Sequence, residues 1–566
     1  MKWTRLITYF AVFLAASGIC QPSRPAPRKA PFEKPKLLLV IVVDQFRYDY
    51  LIRFRGSYAG GIARLLREGA VFTDARYPHY PTVTATGHAT VLTGAPPSMS
   101  GIAGNRWFER EPFIESRTAC PLASPPVFEK AEGNKSIESV TDESACLVGS
   151  DSSANGASPR RLLVSSVGDE LKMAGRTSKT IGISMKDRGA ILPAGRMADA
   201  AYWFAGSKFV TSTYYLPALP GWVTAFNEAN PAARYKDADW TPRDAGAAPF
   251  CSMAKGRVAD GQEVRPCGKL EATPFANDIL EEFGEKAIES EGLGNGPDTD
   301  VLTVSFSAND ILGHAVGPDA PEVRDISIRT DEAIGKLLDY IDGRLGRGSA
   351  LVVFTADHGV SPAPKVNNAR KMPGGWIDID DVKRAVNAAL SAKFGEGDWV
   401  QELTTEGALY LKAGKLAQPD AAELRKAAAE AASKVPHIAR AFASDDLRRG
   451  YAGGDRVSRA VMLGYYGQRS GDIVLVPEPY FMFGGKSFTS FQGGTTHLTP
   501  YGYDAHVPLI FMGRGIRPGF YDGPVLVNDA APTLATILEI ETPAGSIGRT
   551  LGEMFERADE RGPAKQ

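Results

Sequence analysis

Four short apolar runs in this chain stop at, or just ahead of, a charged residue. Lys36 to Val43 runs into Asp44, Lys179 to Ser184 stops before Lys186, Asp300 to Ser305 leads to Asp310, and Ala350 to Phe354 stops before Asp357. A fifth run, Val507 to Met512, comes late. Apolar runs without polar alternation are strands buried on both faces, the habit of parallel sheets in α/β proteins. Helical patterns lie between them. Pro321 to Leu345 carries Ile326, Ile328, Ala333, Ile334, Leu337, Leu338 and Ile341 on one recurring face, and Ser158-Pro159 reads as a cap and first-turn proline opening another helix. The pattern predicts an α/β fold: a central, mostly parallel sheet sandwiched by helices. Ligands of such sheets bind beyond the carboxyl ends of the strands, where Asp44, Lys186, Asp310 and Asp357 all fall.

Two stretches break the alternation. Residues near 200–275 are rich in Trp, Tyr, Pro and Gly, and residues near 365–485 carry helix and strand patterns of their own, including Ala421 to Lys434. Both read as insertions capping a catalytic domain of residues 36–560, with the aromatic trio Tyr202, Trp203 and Phe204 expected beside the site. At the start, Lys2 and Arg5 precede an apolar run from Leu6 to Ala16. Residues 1–20 read as a secretory signal peptide and 21–35 as a Pro-rich linker. The bulky Ile19 argues against lipid attachment at Cys20. A periplasmic or secreted location follows, with no stable membrane span.

Composition narrows the partners. The 566 residues are 43% hydrophobic and 23% charged, ordinary for a soluble globular protein, and the net charge of -2 gives no long-range attraction for nucleic acid. An anionic substrate must be held by a local site. Without the leader, Cys120, Cys146, Cys251 and Cys267 remain, an even set that in an exported protein makes two disulfides. Sequence neighbours favour Cys120–Cys146 and Cys251–Cys267, though three connectivities are open.

The chemistry sits on scarce residues. Seven histidines occur in the chain, and two of them pair with carboxylates, in Asp310-x3-His314 and Asp357-His358. Asp and His together suit a borderline divalent metal, zinc above all. With Asp44 and His497 the candidates number six, enough for two ions, which suggests phosphoryl-transfer chemistry. In the segment Tyr77 to His88, an extended approach through Pro81 meets a helix expected over Ala85 to Leu92. A hydroxyl at that junction gains from the backbone N–H groups of a helix N-terminus. Thr82, Thr84 and Thr86 all compete for the place. His88 reads as packed or hydrogen-bonded, His79 as loop structure, His506 as a candidate neighbour of the ligands, and His437 as surface.

The order of these residues resembles that of the alkaline phosphatase superfamily, specifically its bacterial periplasmic threonine-nucleophile branch, with nucleotide pyrophosphatase/phosphodiesterases as close relatives. The pattern runs from Asp44 through Thr84, Gly104-Asn105, Lys186-Asp-Arg188, Asp310-x3-His314 and Asp357-His358 to His497, across nearly the whole mature chain. The resemblance implies one zinc on Asp310, His314 and His497 and a second on Asp44, Asp357 and His358, with the Thr84 oxygen as its fourth ligand. It implies Thr84 as nucleophile and an Asn105 amide on a phosphoryl oxygen. Lys186 and Arg188, expected to point the same way along an extended stretch, would neutralise the two outer oxygens of a monoester. The implied enzyme is an exported phosphate monoesterase working through a phosphothreonine. Its rivals are a diesterase on the same metal pair and a non-catalytic phosphate-binding protein.

Overall fold

The structure is a computed structural model. It describes residues 34–556 apart from 111–112, 117–127, 132–134, 151–154, 244–246, 260–261, 418–419, 451–452 and 486–493. The leader, nearly all of the linker, and Cys120 with its expected bridge lie outside the described residues. The other bridge is present, joining Cys251 to Cys267.

Among the described residues, eleven strands make one sheet. In chain order they are β1 Leu37–Val43, β2 Ala70–Arg76, β3 Thr141–Val148, β4 Asn155–Ala157, β5 Thr180–Ser184 and β6 Ala200–Ala205. The remainder are β7 Lys208–Ser212, β8 Asp300–Phe306, β9 Ala350–Thr355, β10 His506–Met512 and β11 Gly519–Leu526. Their order across the sheet is β11-β2-β10-β9-β1-β8-β5-β6-β7-β3-β4. The middle strands β9, β1, β8, β5 and β6 are parallel. Every residue of β1 is fully buried, which is why its sequence shows no alternation.

Parallel pairing holds at that centre and again at one edge, between β2 and β11; the pairs between these stretches and on the other flank are antiparallel. The late apolar run forms β10, which lies antiparallel to both β9 and β2. On the other flank β6, β7, β3 and β4 are joined antiparallel. An apolar run reports burial on both faces and says nothing of direction, so the pattern could not separate these cases. The helix expected at Ser158-Pro159 is also absent. Ser158 instead donates to Asp142 across the edge strands, and the helix starts at Val167, capped by Ser166.

The first insertion begins later than near 200. Residues 200–212 are β6 and β7 of the main sheet, and the aromatic trio is core: Tyr202 is fully buried and packs edge-on against Trp222 and Phe283. It does not line a site. Residues 365–485 do make a unit of their own, a four-stranded antiparallel sheet packed on helices Ile379–Phe394 and Ala421–Ala432. Val382, Leu390, Trp399, Leu424, Leu475 and Phe483 fill its separate core. Tyr80 ties this unit to the main body, its hydroxyl donating to the Leu475 carbonyl at 2.6 Å.

Three helices carry the strand-end chemistry: α1 Thr84–Thr93, α2 Asp187–Ala194 and α3 Ala308–Val316. Helix α1 lies against the turn after β9 so closely that a Cβ on Gly87 would come within 2.1 Å of the Asp357 carbonyl oxygen. Neither backbone can yield without moving the strand end. Gly87→Ala should therefore cost about 1–3 kcal/mol of stability through overpacking, read as a lowered denaturation midpoint. Gly221→Ala, at an open helix position with nothing within 4 Å, should leave the midpoint unchanged or slightly raised. Equal midpoints for the two variants would contradict the packing described.

Candidate active site

Three carboxylates from distant parts of the chain meet in the crevice beyond β1, β8 and β9. Asp44 and Asp357 are fully buried and Asp310 nearly so. Asp44 ends β1, Asp357 follows β9, and Asp310 stands in the first turn of α3 with His314 one turn later on the same face. Ligand atoms of Asp310, His314 and His497 lie within 4.8 Å of one another, as do those of Asp44, His88 and Asp357. These are two candidate metal-ligand groups.

Hydrogen bonds distinguish the two imidazoles beside the second group. Both ring nitrogens of His88 are engaged, Nδ1 with the Thr84 carbonyl and Nε2 with Ser305 Oγ, each at 2.9 Å. Ser305 in turn donates to Asp44 at 2.8 Å. His358 has Nδ1 held by the Gly359 carbonyl at 2.9 Å and presents Nε2 toward Asp357 Oδ2 at 3.2 Å and Thr84 Oγ1 at 3.5 Å. A ligand nitrogen facing inward, with the other ring nitrogen fixed on a carbonyl, is the arrangement metal-binding histidines take. His314 and His497 repeat it, their Nδ1 atoms on the carbonyls of Thr495 at 2.9 Å and Thr82 at 2.7 Å.

The residues fit cations electrostatically. Asp357 Oδ2 is buried beside the imidazole nitrogens of His358 at 3.2 Å and His88 at 3.4 Å; a carboxylate oxygen so placed is costly unless a positive charge meets it. Burial alone would raise Asp310, but His314 and Lys186 beside it hold its carboxyl well below the usual range. Burial, reinforced by His358 and His314, pushes His497 well below its ordinary value and keeps a lone pair available. Burial also opposes a charge on His358, yet Asp357 outweighs it and draws the ring up to about 9. That proton competes with any cation for the ring nitrogen.

Lys186 bridges the two groups, its Nζ 3.0 Å from Asp44 Oδ2 and 2.6 Å from Asp310 Oδ2. Arg188 does not share an extended stretch with it, contrary to expectation. Lys186 is the extended residue before α2 and Arg188 lies in the helix's first turn. The Arg188 Nε is buried without a hydrogen-bond partner, and its charge acts on Lys186 and on Glu406 from the inserted unit.

The three threonines separate clearly. Thr82 Oγ1 donates to the Thr499 carbonyl at 2.9 Å, and Thr86 Oγ1 serves the helix start, bonded to Val83 and Pro81. Thr84 Oγ1 alone of the three faces the imidazole of His358. Asn105 accepts from the Ala85 N–H through Oδ1 at 2.9 Å, which leaves its NH2 group pointing away from that bond.

Sequence reasoning missed several supports. Gln45 takes the left-handed backbone conformation (φ 63°) directly after Asp44. That twist lets its side chain reach Asp310 at 2.6 Å while its N–H holds Asp357 at 3.0 Å. Its place beside Asp44 was the only signal. His506 bonds the Thr73 carbonyl and stacks on Tyr48, away from the ligands. His437 is exposed beside Glu478, as expected. His79 is in a loop, but buried with neither ring nitrogen bonded.

A parallel-centred sheet with paired Asp/His groups around a helix-start hydroxyl defines the alkaline phosphatase fold. Residues 38–497 match the family model described as type I phosphodiesterase / nucleotide pyrophosphatase. The chain is 34% identical to a protein of Myroides odoratus named calcium-transporting ATPase, over 93% of this chain and 95% of that one. It is 32% identical to alkaline phosphatase PafA of Elizabethkingia meningoseptica, over 96% and 98% of the two chains. The crystal structure of wild-type alkaline phosphatase PafA superposes with a TM-score of 0.80 at 32% identity, covering 93% of this chain and all of that one. The chain belongs to the type I phosphodiesterase / nucleotide pyrophosphatase family of the alkaline phosphatase superfamily. It is a phosphatase.

Among the described residues no helix is long and apolar enough to cross a membrane. Titrating divalent cations into chelator-stripped protein should raise its unfolding temperature. Saturation a hundredfold beyond Kd corresponds to about 2.7 kcal/mol. Asp310→Ala should reduce that gain, and a wild-type midpoint indifferent to zinc, manganese, magnesium and calcium would refute the two groups as cation sites.

Proposed function

We propose that this phosphatase hydrolyses phosphate monoesters through a phosphothreonine on Thr84, at a site that holds two zinc ions. The observation that carries the reading is the Thr84 hydroxyl, at a helix start, facing His358 while its neighbours Thr82 and Thr86 are tied to backbone. Asp310, His314 and His497 would hold one ion, and Asp44, Asp357, His358 and Thr84 the other. When bound, such ions supply Lewis acidity to the attacking and leaving oxygens of an in-line displacement.

The chain's own groups do the rest. Thr84 Oγ1 gives up its proton to solvent and forms its bond to phosphorus as the bond to the leaving oxygen breaks, and the departing alkoxide takes a proton from water. Water then attacks the phosphothreonine, Thr84 recovers its hydroxyl, and inorganic phosphate leaves. The Asn105 NH2 group donates to one phosphoryl oxygen. Lys186 and Arg188 neutralise the outer oxygens, the guanidinium able to make two contacts at once. With cations on Asp44 and Asp310, those carboxylates no longer need the Lys186 ammonium, which is then available to the substrate.

A diesterase reading draws support from the family description. A monoester dianion exposes two outer oxygens with full charge, a diester one, so Lys186 and Arg188 favour the monoester. The name of the Myroides relative adds ATP to the substrates to try. Export also belongs to this proposal. The leader pattern of residues 1–20 and the Cys251–Cys267 bridge both support an oxidising compartment outside the cytoplasm.

Thr84→Ala should lose phenyl phosphate turnover by at least about a thousandfold, while Thr84→Ser retains a measurable fraction. Acid-quenched turnover of the wild type should give a phosphopeptide spanning Thr84. A Thr84→Ala enzyme as fast as the parent would end the proposal. The double variant Lys186→Ala, Arg188→Ala should reduce kcat/KM on phenyl phosphate at least about tenfold more than on bis-phenyl phosphate. Equal losses would place the pair outside phosphate recognition.

A further inference from the structure

The inserted unit sends one carboxylate into the site. Glu406 stands in the hairpin turn between strands Val400–Leu403 and Ala408–Leu411, where Gly407 at φ 80° bonds back to Thr404. Its Oε1 accepts the backbone N–H of Asn105 at 3.1 Å. Its Oε2 sits so close to Gly104 that a Cβ there would lie 1.9 Å away. The Gly104-Asn105 pair is thus shaped to receive this side chain. Asn105 continues the chain of contacts to the N-terminus of α1 through the Ala85 N–H, one residue beyond Thr84.

Glu406 also lines a cleft of about 550 Å³ that opens beside the candidate ligands. Its other walls include Trp376 and Phe483 from the inserted unit and Ile311, His314 and His497 from the main body. Asn105 lies at the edge of the same cleft. A phosphate held at Thr84 and Asn105 would project its leaving group into this space, so the leaving group would meet aromatic faces and one carboxylate.

We propose that Glu406 is a positioning and specificity residue. Its carboxylate fixes Asn105, and its negative charge selects monoesters whose leaving groups are uncharged or cationic over those carrying further negative charge. The inference rests on the phosphomonoesterase reading above. Aromatic faces beside a carboxylate attract ammonium groups, whereas the additional phosphates of ATP would face like charge in a partly enclosed space.

The charge is graded by pH. Burial is the main cause that brings the Glu406 carboxyl up to about 8, with Glu138 adding to it and the Asn105 N–H, Arg106 and Arg188 opposing it. Tyr410 also faces the group, and Tyr80 donates to the Glu406 carbonyl, both with hydroxyls that burial keeps protonated. A raised carboxyl is neutral below its pKa and charged above it, so discrimination should grow between pH 7 and pH 9.

The test uses the full zinc-loaded chain with phenyl phosphate, choline phosphate and ATP. In the wild type the ratio of kcat/KM for choline phosphate over ATP should rise from pH 7 to pH 9 and shrink with added salt. Glu406→Gln keeps an acceptor for the Asn105 N–H, so phenyl phosphate turnover should fall no more than about threefold. The choline phosphate to ATP ratio at pH 9 should drop about tenfold, the effect of one partly screened charge nearby. Glu406→Ala removes the acceptor too and should lower kcat on all three substrates, with Gln rescuing most of the loss on phenyl phosphate. A ratio unmoved by both pH and Glu406→Gln, with phenyl phosphate still hydrolysed by the wild type, would overturn this inference alone. No phenyl phosphate hydrolysis by the zinc-loaded wild type would overturn the parent reading instead.

Discussion

Everything in this site follows from crowding three buried carboxylates into one strand-end crevice. Asp44, Asp310 and Asp357 cannot all carry charge away from water unless positive groups meet them, because a buried unpaired ion is worth several kcal/mol of penalty. Lys186 meets Asp44 and Asp310, and His88 lies 3.5 Å from Asp44 and 3.4 Å from Asp357. The imidazole nitrogens of His358 and His88 both crowd Asp357 Oδ2, at 3.2 Å and 3.4 Å. The remaining imidazoles have their outer nitrogens fixed on carbonyls and their inner ones turned toward the carboxylates. The fold has therefore built a cradle for positive charge, with the Thr84 hydroxyl beside it.

Parallel strands make the crowding possible. Adjacent strands β9, β1 and β8 finish in register at the same edge of the sheet, so Asp44 meets Asp310 and Asp357 from a distant part of the chain without long reaches. The rigidity comes from full burial of β1 on both faces and from backbone-to-backbone contact at Gly87. Gln45 then cross-links the two groups by touching Asp310 and Asp357 at once, at the expense of a left-handed backbone that few residues other than glycine adopt readily. Strain at that residue is sustained because its N–H and its side-chain amide each bond a buried carboxylate.

The sequence made the centre of this molecule legible and its margins obscure, for physical reasons. Apolar runs ending in Asp44, Asp310 and Asp357 reveal buried strands and the side on which they finish, because burial on two faces removes alternation. They carry no record of direction, which is why β10 turned out antiparallel. Tyr202 to Phe204 read as lining for the site because aromatic composition does not distinguish a cleft wall from a packed core. Ser158-Pro159 looked like a helix start because a cap signal is satisfied equally well by a side-chain bond to a neighbouring strand, here Asp142. Thr84 could not be separated from Thr82 and Thr86 by local pattern, since the distinction lies in partners at Thr499 and Pro81 that only the folded chain brings near.

Glu406 shows the deeper limit. It is one acidic residue in a hairpin turn, a setting in which a carboxylate is ordinarily solvated and without consequence. What makes it matter is the docking of a unit with its own core against the Gly104-Asn105 turn, and no spacing along the chain announces that docking. The signal that could have been read is indirect: Gly104 precedes Asn105, and a glycine without need of a positive φ implies that something approaches its Cα. The buried carboxylates and imidazoles stand on the main sheet's strand ends, whereas the cleft beside them takes Glu406, Trp376 and Phe483 from the inserted unit and Ile311, His314 and His497 from the main body, so the two parts of the chain meet in one space.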